Sequence, residues 1–202
     1  MTLRKFWRNI LKMREPLIYA CRADLPDDEV LINKLLSAVR SEKRAGILNQ
    51  KNREHANEML VGEMLMLYAL KDSFSISPKN VEIALGEHGK PYLKNFDKAY
   101  FNISHSGGAA VCAVYDGEVG VDIQKISKFN PSLAKKMCSA KELEQLVKSK
   151  RRDYEFSRLW SVKEAYHKLC GTGILYPSFA KEYDCRFKSF ELFGCVVTAA
   201  WR

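Results

Sequence analysis

The chain has 202 residues, of which 47% are hydrophobic and 28% are charged. This composition excludes fibrous, collagen-like and largely disordered proteins, and the length suffices for one sizeable core or two small ones. No apolar run approaches the roughly 18 uncharged residues that a membrane-spanning helix needs. The basic N-terminal segment lacks the cleavage pattern of a signal peptide, so we expect a cytoplasmic protein with no membrane partner.

The net charge is +9, from 33 basic and 24 acidic residues, and such a balance favours acidic partners. Residues 1–12 hold four of the basic residues and no acid. We predict that they form a basic extension, either disordered or absent from a native protein that starts at Met13. A nucleic-acid-binding module is the alternative, but only Phe6 and Trp7 accompany these charges, so we expect no nucleic-acid partner.

The six cysteines are widely separated and include no CxxC pair, which argues against a cysteine zinc site. In a cytosolic chain they are most simply reduced thiols that pack as small hydrophobes. None lies in a recognisable activating sequence, so we expect no catalytic cysteine.

In chain order, a short apolar strand is predicted at 16–21, followed by a helix that Asp27 or Asp28 caps. A longer core helix is predicted over 53–71 because its apolar residues form a wide stripe. The period then changes to two, which predicts strands near 81–85, 99–104, 109–115 and 118–123. Asp116-Gly117 between the last two predicts a tight hairpin.

The second half of the chain begins with helical signals and ends with β-like sequence. Ser139 and Glu142 have the spacing of a capping box, Asp153 is a candidate cap for a helix reaching Cys170, and Gly171 predicts its end. Residues 183–201 are β-like. The order predicts an α+β fold of two similar halves that meet near residue 105, giving an N-terminal subdomain over 13–105 and a C-terminal one over 106–202.

Asp122 is the most informative polar residue because it interrupts the apolar run of a predicted strand. Gln124 lies two residues further on, so the carboxylate and the amide share one face. Solvent exposure of this face is one interpretation. A Mg²⁺ site is the other, since magnesium prefers one or two carboxylates together with waters and substrate phosphates.

A second polar cluster lies on the helix predicted after residue 153. Glu164 and Lys168 share one helix face with Trp160, while Lys163 and His167 lie beside them. A solvated ion pair explains Glu164 and Lys168, but the tryptophan in the same line favours a site with an apolar wall.

Four motifs in this order resemble the Sfp-type 4′-phosphopantetheinyl transferases, which move the phosphopantetheine arm of coenzyme A onto a carrier-protein serine. They span about half the chain. They are GKP at 89–91, FNISHSG at 101–107, GVDIQK at 120–125 and WSVKEAYHKLCGTG at 160–173.

The resemblance implies two similar α/β subdomains packed as a pseudo-symmetric dimer, with coenzyme A and Mg²⁺ in the cleft between them. It implies that Asp122 and Glu164, with Gln124, are metal ligands and that Asp122, Lys163 and Glu164 are catalytic. It further implies that basic and hydroxyl groups handle the coenzyme's phosphates, namely Lys43, Lys90, Ser104, His105, Lys163 and Lys168.

Two positions depart from the family pattern. Gln124 stands where many members have a glutamate, so we expect weaker Mg²⁺ binding without loss of activity. Glu58 stands in a helix where relatives often present basic residues to the adenosine 3′-phosphate, and a carboxylate there repels that phosphate. Either a nearby base such as Lys43, Arg44, Lys51 or Arg53 substitutes, or the coenzyme is held less tightly at that end.

The expected activity is Mg²⁺-dependent conversion of an acidic acyl or peptidyl carrier protein from its apo to its holo form, with release of 3′,5′-ADP. Two halves in one chain make a monomer sufficient. The alternative is a non-catalytic coenzyme A or nucleotide-binding protein of the same fold, with Gln124 and Glu58 as signs of decay.

Overall fold

The structure is a computed structural model that describes residues 13–172 and 183–202, so the predicted extension at 1–12 and Gly173 lie outside it. Among the described residues, no helix has the length and hydropathy to span a membrane. The helices are α1 (Glu29–Ala38), α2 (Ser41–Leu48), α3 (Arg53–Phe74), α4 (Pro131–Met137), α5 (Ala140–Lys148) and α6 (Arg152–Cys170). The strands are β1 (Leu17–Arg22), β2 (Ile83–Leu85), β3 (Pro91–Leu93), β4 (Tyr100–His105), β5 (Ala109–Tyr115), β6 (Val119–Lys125), β7 (Arg186–Leu192) and β8 (Cys195–Trp201).

Within 13–172 and 183–202, the strands form two three-stranded antiparallel sheets and one small hairpin. The first sheet has the order β1-β5-β4, the second has the order β6-β8-β7, and β2 pairs with β3. This mixture of helices and antiparallel sheets confirms the predicted α+β class. Every strand of the first sheet precedes residue 116 and every strand of the second follows residue 118, so the sheets divide the chain at 116–118, later than the expected boundary near residue 105.

The hairpin predicted at Asp116-Gly117 is wrong. Strand β5 pairs with β1 on one side and with β4 on the other, so both of its edges are already occupied. Strand β6 pairs instead with β8 in the second sheet. The Asp116-Gly117 turn therefore connects a strand of the first sheet to a strand of the second.

Side-chain caps fix the starts of several helices. Asp28 caps α1 by accepting a hydrogen bond from the Leu31 N–H, and Ser139 and Glu142 form the predicted capping box of α5. The predicted cap at Asp153 is wrong, because its carboxylate accepts the N–H of Phe129 while Arg151 takes the N-cap position of α6 without a side-chain cap. Helix α6 ends at Gly171, whose φ of 68° is left-handed, as predicted.

Each sheet packs one face on a long helix and the other face on a core shared by both sheets. On β5, Cys112 and Val114 pack against α3, whereas Val111 and Ala113 join residues of β6 and β8 in the shared core. In the second sheet, α6 packs on Ala200 of β8. Successive side chains of a strand point to opposite faces of its sheet, so each sheet can contact its helix on one face and the other sheet on the opposite face. The junction of the two sheets therefore lies between the two long helices.

Side chains of β4 connect the two sheets where β4 and β6 lie side by side. Asn102 Oδ1 accepts the Val121 N–H at 2.8 Å, and Ser104 Oγ accepts the Ile123 N–H at 3.2 Å. Ser106 Oγ, just beyond β4, accepts the Lys125 N–H at 3.4 Å. The residue numbers of the bonded partners increase along both segments, so the two segments are parallel.

Gly120 allows α6 to lie unusually close to β6. A Cβ at this position would lie 2.2 Å from the Ala165 carbonyl oxygen and 2.4 Å from the Leu169 amide nitrogen. Because any side chain at Gly120 would collide with the helix backbone, the glycine fixes the distance between α6 and Asp122 on the same strand face.

All six cysteines carry free thiols, in agreement with the prediction. Burial raises the pKa of the Cys138 and Cys185 thiols to about 11 and raises that of Cys112 as well. These thiols are therefore protonated near neutral pH and unsuited to nucleophilic catalysis.

Candidate active site

Asp122 on β6 lies at the centre of a polar cluster at the junction of the two sheets. Its Oδ1 accepts hydrogen bonds from Lys168 Nζ at 2.7 Å and from Ser104 Oγ at 3.1 Å. Lys168 Nζ also donates to Ser104 Oγ at 2.7 Å. The cluster thus joins β4, β6 and α6, and it leaves only 7% of the Asp122 side chain exposed.

Glu164 lies one helical turn before Lys168 and is half-buried. Burial and the nearby Asp122 charge raise the pKa of Glu164 to about 7, although Lys168 opposes this shift. Two carboxylates, one from β6 and one from α6, therefore lie close enough to repel each other. A group of this kind suits either cation binding or proton transfer near neutral pH.

The donor set around Asp122 fits a magnesium ion. Asp122 Oδ2 is buried and has no hydrogen-bond partner among the described residues. Gln124, two residues along β6, is half-buried and donates through Nε2 to the Lys125 carbonyl, which leaves its side-chain oxygen as a further potential ligand. Two carboxylates and an amide are hard oxygen donors of the type that Mg²⁺ prefers.

Two family models together match most of the chain. One, described as the 4′-phosphopantetheinyl transferase superfamily, matches residues 118–195, and the other, described as 4′-phosphopantetheinyl transferase, N-terminal, matches residues 26–116. A 4′-phosphopantetheinyl transferase of Bacillus subtilis is 33% identical over 163 residues, which cover 79% of this chain and 72% of the relative.

The chain belongs to the 4′-phosphopantetheinyl transferase family. Sfp of Bacillus subtilis strain 168 is 30% identical over the same shares of the two chains. The transferase HetI of Nostoc sp. is 28% identical over 78% of this chain and 70% of the relative. The resemblance inferred from four motifs is confirmed, and with it the assignment of the protein as a transferase.

Lys163 of this phosphopantetheinyl transferase lies apart from Asp122. Its ammonium contacts both carboxylate oxygens of Glu142, at 3.0 and 3.1 Å, and donates to the Tyr183 hydroxyl at 3.3 Å. Only 2% of its side chain is exposed. Because Glu142 also completes the capping box of α5, the lysine fastens that helix to α6.

Lys90 also lies outside the Asp122 cluster. Its ammonium donates to the Leu169 carbonyl at 2.7 Å and to the Val119 carbonyl at 3.1 Å. Burial lowers the pKa of Lys90. These contacts connect the β2–β3 hairpin to α6 and β6, a structural role that the motif alone did not predict.

Two of the four bases proposed to compensate for Glu58 are engaged elsewhere. Arg44 donates to the carbonyls of Ser37 and Val39 at the end of α1, and Arg53 pairs with Asp27. Lys43 and Lys51 are exposed. These two lysines are therefore the better candidates among the four for an anionic ligand.

His105, at the end of β4, contacts two residues of α3 that no sequence motif groups with it. Its Nδ1 lies 3.4 Å from Glu58 Oε2, and its ring packs edge-on against His55 at a centroid distance of 4.9 Å. Burial and the neighbouring His55 lower the pKa of His105. His55 and Glu58 are three positions apart on one helix, a spacing that signals a shared face but does not reveal the partner strand.

Proposed function

We propose that this chain transfers the 4′-phosphopantetheine group of coenzyme A to a serine of an acidic acyl or peptidyl carrier protein, in a Mg²⁺-dependent reaction. The observation that carries the proposal is the convergence of Asp122 on β6 and Glu164 on α6, with an unpartnered buried oxygen on Asp122 among the described residues. Membership of the family supports the choice of coenzyme A and a carrier protein as substrates.

Asp122 and Glu164 would hold the magnesium ion, with Gln124 as a neutral third ligand. Bound there, Mg²⁺ would neutralise charge on the coenzyme's diphosphate. Lys168 and Ser104 adjoin Asp122 directly, so they are placed to donate to phosphate oxygens. His105 follows Ser104 on β4 and is a further phosphate-binding candidate. Lys43 on α2 is exposed and is proposed as another base for the coenzyme's phosphates.

In the transfer step, the carrier serine oxygen forms a bond to the β-phosphorus of coenzyme A while the bond from that phosphorus to the bridging oxygen breaks. The leaving group is 3′,5′-ADP. Glu164 is the candidate base for the proton of the serine hydroxyl. A carboxylate that binds magnesium is a weaker base than a free one, so metal binding is the first role of Glu164 and proton transfer the second. Lys163 would act by holding α6 in place, because its ammonium is engaged by Glu142.

We further infer that the chain consists of two pseudo-symmetric subdomains that meet at 116–118. The equivalent strand orders β1-β5-β4 and β6-β8-β7 support this, as does the packing of one long helix on each sheet. The two family models also end and begin there, at residues 116 and 118. The site then lies at the subdomain junction, and one chain suffices for it.

The positive charge of the chain supports an acidic partner. With a net charge of +9, long-range attraction would favour approach of an acidic carrier protein. Raising the ionic strength should therefore lower the rate at subsaturating carrier concentration more than at saturation.

The test is incubation with coenzyme A, Mg²⁺ and an apo acyl or peptidyl carrier protein, followed by intact-mass measurement. One phosphopantetheine group should appear on the carrier, and Glu164→Gln should abolish its transfer. Glu155→Gln is the matched control, because Glu155 is half-buried on the same helix, like Glu164, but pairs with Arg158. Coenzyme A binding without transfer by the unmodified protein would favour the non-catalytic alternative.

A further inference from the structure

Three potential metal ligands converge between the first turns of α3 and the end of β4. They are His55, Glu58 and His105, and one ligand atom from each lies within 4.8 Å of the other two. The elements that carry them are far apart in sequence, so the fold brings them together. None of the three belongs to the oxygen-donor set around Asp122.

The distances from Glu58 to the two imidazoles suit ligands of a common ion better than hydrogen-bond partners. Glu58 Oε2 lies 3.4 Å from Nδ1 of His55 and 3.4 Å from Nδ1 of His105. Good N–H···O hydrogen bonds are about 2.9 Å long, whereas two ligands at about 2.0–2.1 Å from a tetrahedral zinc ion are about 3.3 Å apart. In addition, His105 Nδ1 is buried and has no hydrogen-bond partner among the described residues.

The cluster is also held in place by its surroundings. Glu58 Oε1 accepts the Gly108 N–H at 2.7 Å, which fixes the carboxylate and leaves Oε2 directed at the imidazoles. Asn52 caps α3 by accepting the His55 N–H, which fixes the helix turn that carries His55. Hydrogen bonds that orient the ligating side chains in this way are typical of metal sites.

We propose that His55, Glu58 and His105 form a second metal site, which binds a divalent transition-metal ion of the zinc class. Two imidazoles and one carboxylate are a ligand set that zinc uses with an open fourth position. Imidazole ligands favour zinc, cobalt and nickel over magnesium, so the site is chemically distinct from the one around Asp122. A bound ion would also reverse the local charge from that of the lone Glu58 carboxylate to a net positive one.

The test is direct metal binding by the full chain, without a histidine tag, after removal of metals with a chelator. Zn²⁺ is titrated by calorimetry in excess Mg²⁺, which occupies oxygen-donor sites, and Co²⁺ is titrated by visible absorption. We expect one strong site per chain. His55→Ala and Glu58→Gln should each weaken Zn²⁺ binding about tenfold or more.

His88→Ala is the matched control, because it removes one histidine from an exposed turn and should leave Zn²⁺ affinity unchanged. Glu58→Gln keeps an acceptor for the Gly108 N–H, and thermal unfolding in chelator verifies that each variant folds. Added Zn²⁺ should raise the unfolding temperature of the unmodified protein more than that of either ligand variant.

Absence of Zn²⁺ binding, or equal affinity in all variants, would overturn the proposal. A cobalt–thiolate absorption band would likewise overturn it by assigning the ion to a cysteine. Because the readout is binding and not transfer, the result is independent of the proposed activity.

Discussion

Lys168 Nζ on α6 and Asp122 Oδ1 on β6 lie 2.7 Å apart, so a buried carboxylate at the sheet junction is neutralised by a lysine from the neighbouring helix. The pair exists because Gly120 allows α6 to approach β6 closely. It engages one oxygen of Asp122 and leaves the other, Oδ2, without a partner among the described residues. The lysine therefore stabilises the carboxylate without closing the proposed cation site.

Replacing Lys168 with methionine should destabilise the protein in the absence of divalent cations. The change leaves the Asp122 carboxylate buried without its counter-charge, and we expect the free energy of unfolding to fall by about 2 kcal/mol. Denaturant unfolding in chelator measures this. Added Mg²⁺ should recover more stability in Lys168→Met than in the unmodified protein.

The control for that change is Lys188→Met, because Lys188 pairs with Glu15 on the surface, where about half of each side chain is exposed. It should alter the free energy of unfolding by less than about 0.5 kcal/mol. Equal losses in the two variants would contradict the role assigned to the Asp122 pair.

The contribution of Glu164 to the stability of the metal-free protein should decrease between pH 4.5 and about pH 7. Glu164 has a folded pKa of about 7 against an ordinary value of 4.5, so the folded state holds its proton more tightly than the unfolded state. The resulting stabilisation is complete below pH 4.5 and is lost as the pH rises through about 7. Because Glu164 is only half-buried, solvent reduces the expected loss to about 1–2 kcal/mol.

Glu164→Gln stays neutral across this range and should lack that part of the pH dependence. Denaturant unfolding at several pH values in chelator compares the slopes of the two proteins. Glu155→Gln should retain the slope of the unmodified protein, and a slope that persists in Glu164→Gln would refute the assignment to this carboxyl.

Gln124→Glu should lower the Mg²⁺ concentration required for half-maximal transfer. Gln124 shares a strand face with Asp122, so a glutamate there adds a charged oxygen ligand to the same site. The measurement is the transfer rate as a function of Mg²⁺ concentration. Gln145→Glu adds the same charge at an exposed position of α5 and should leave the requirement unchanged.

The sequence predicted those parts of the fold that depend on local signals. The capping box of Ser139 and Glu142 and the end of α6 at Gly171 were foreseen because each is determined within one helix turn. The hairpin at Asp116-Gly117 was not a hairpin, because pairing of β5 with β1 is decided by a strand almost a hundred residues away. The residues of a turn carry no information about a distant strand that pairs with the same edge.

The same distinction applies to the site. The spacing of Glu164 and Lys168 predicted a shared helix face, and the motifs indicated Asp122. The ion pair between Lys168 and Asp122 depends on how closely α6 packs on β6, and this distance cannot be predicted from a single sequence. The grouping of His55 with His105 likewise depends on α3 meeting the end of β4.

Lys90→Met separates a structural role from a phosphate-binding one. The lysine donates to the carbonyls of Val119 and Leu169, so its loss should lower the free energy of unfolding by about 1–2 kcal/mol and leave coenzyme A affinity nearly unchanged. Denaturant unfolding and calorimetric titration with coenzyme A measure the two effects. Lys94→Met, at an exposed position nearby, should change neither. Weaker coenzyme A binding with unaltered stability would instead favour the role implied by the resemblance.

Asn102→Ala tests whether side chains of β4 hold the two sheets together. The Val121 N–H that Asn102 accepts is buried, and the alanine would leave it without an acceptor, at a cost of about 1–3 kcal/mol in the free energy of unfolding. Ser106→Ala removes the equivalent contact to Lys125, which is longer at 3.4 Å and solvent-exposed, so it should cost less than about 0.5 kcal/mol. If the two variants lost equal stability, burial of the Asn102 contact would not be what makes it strong.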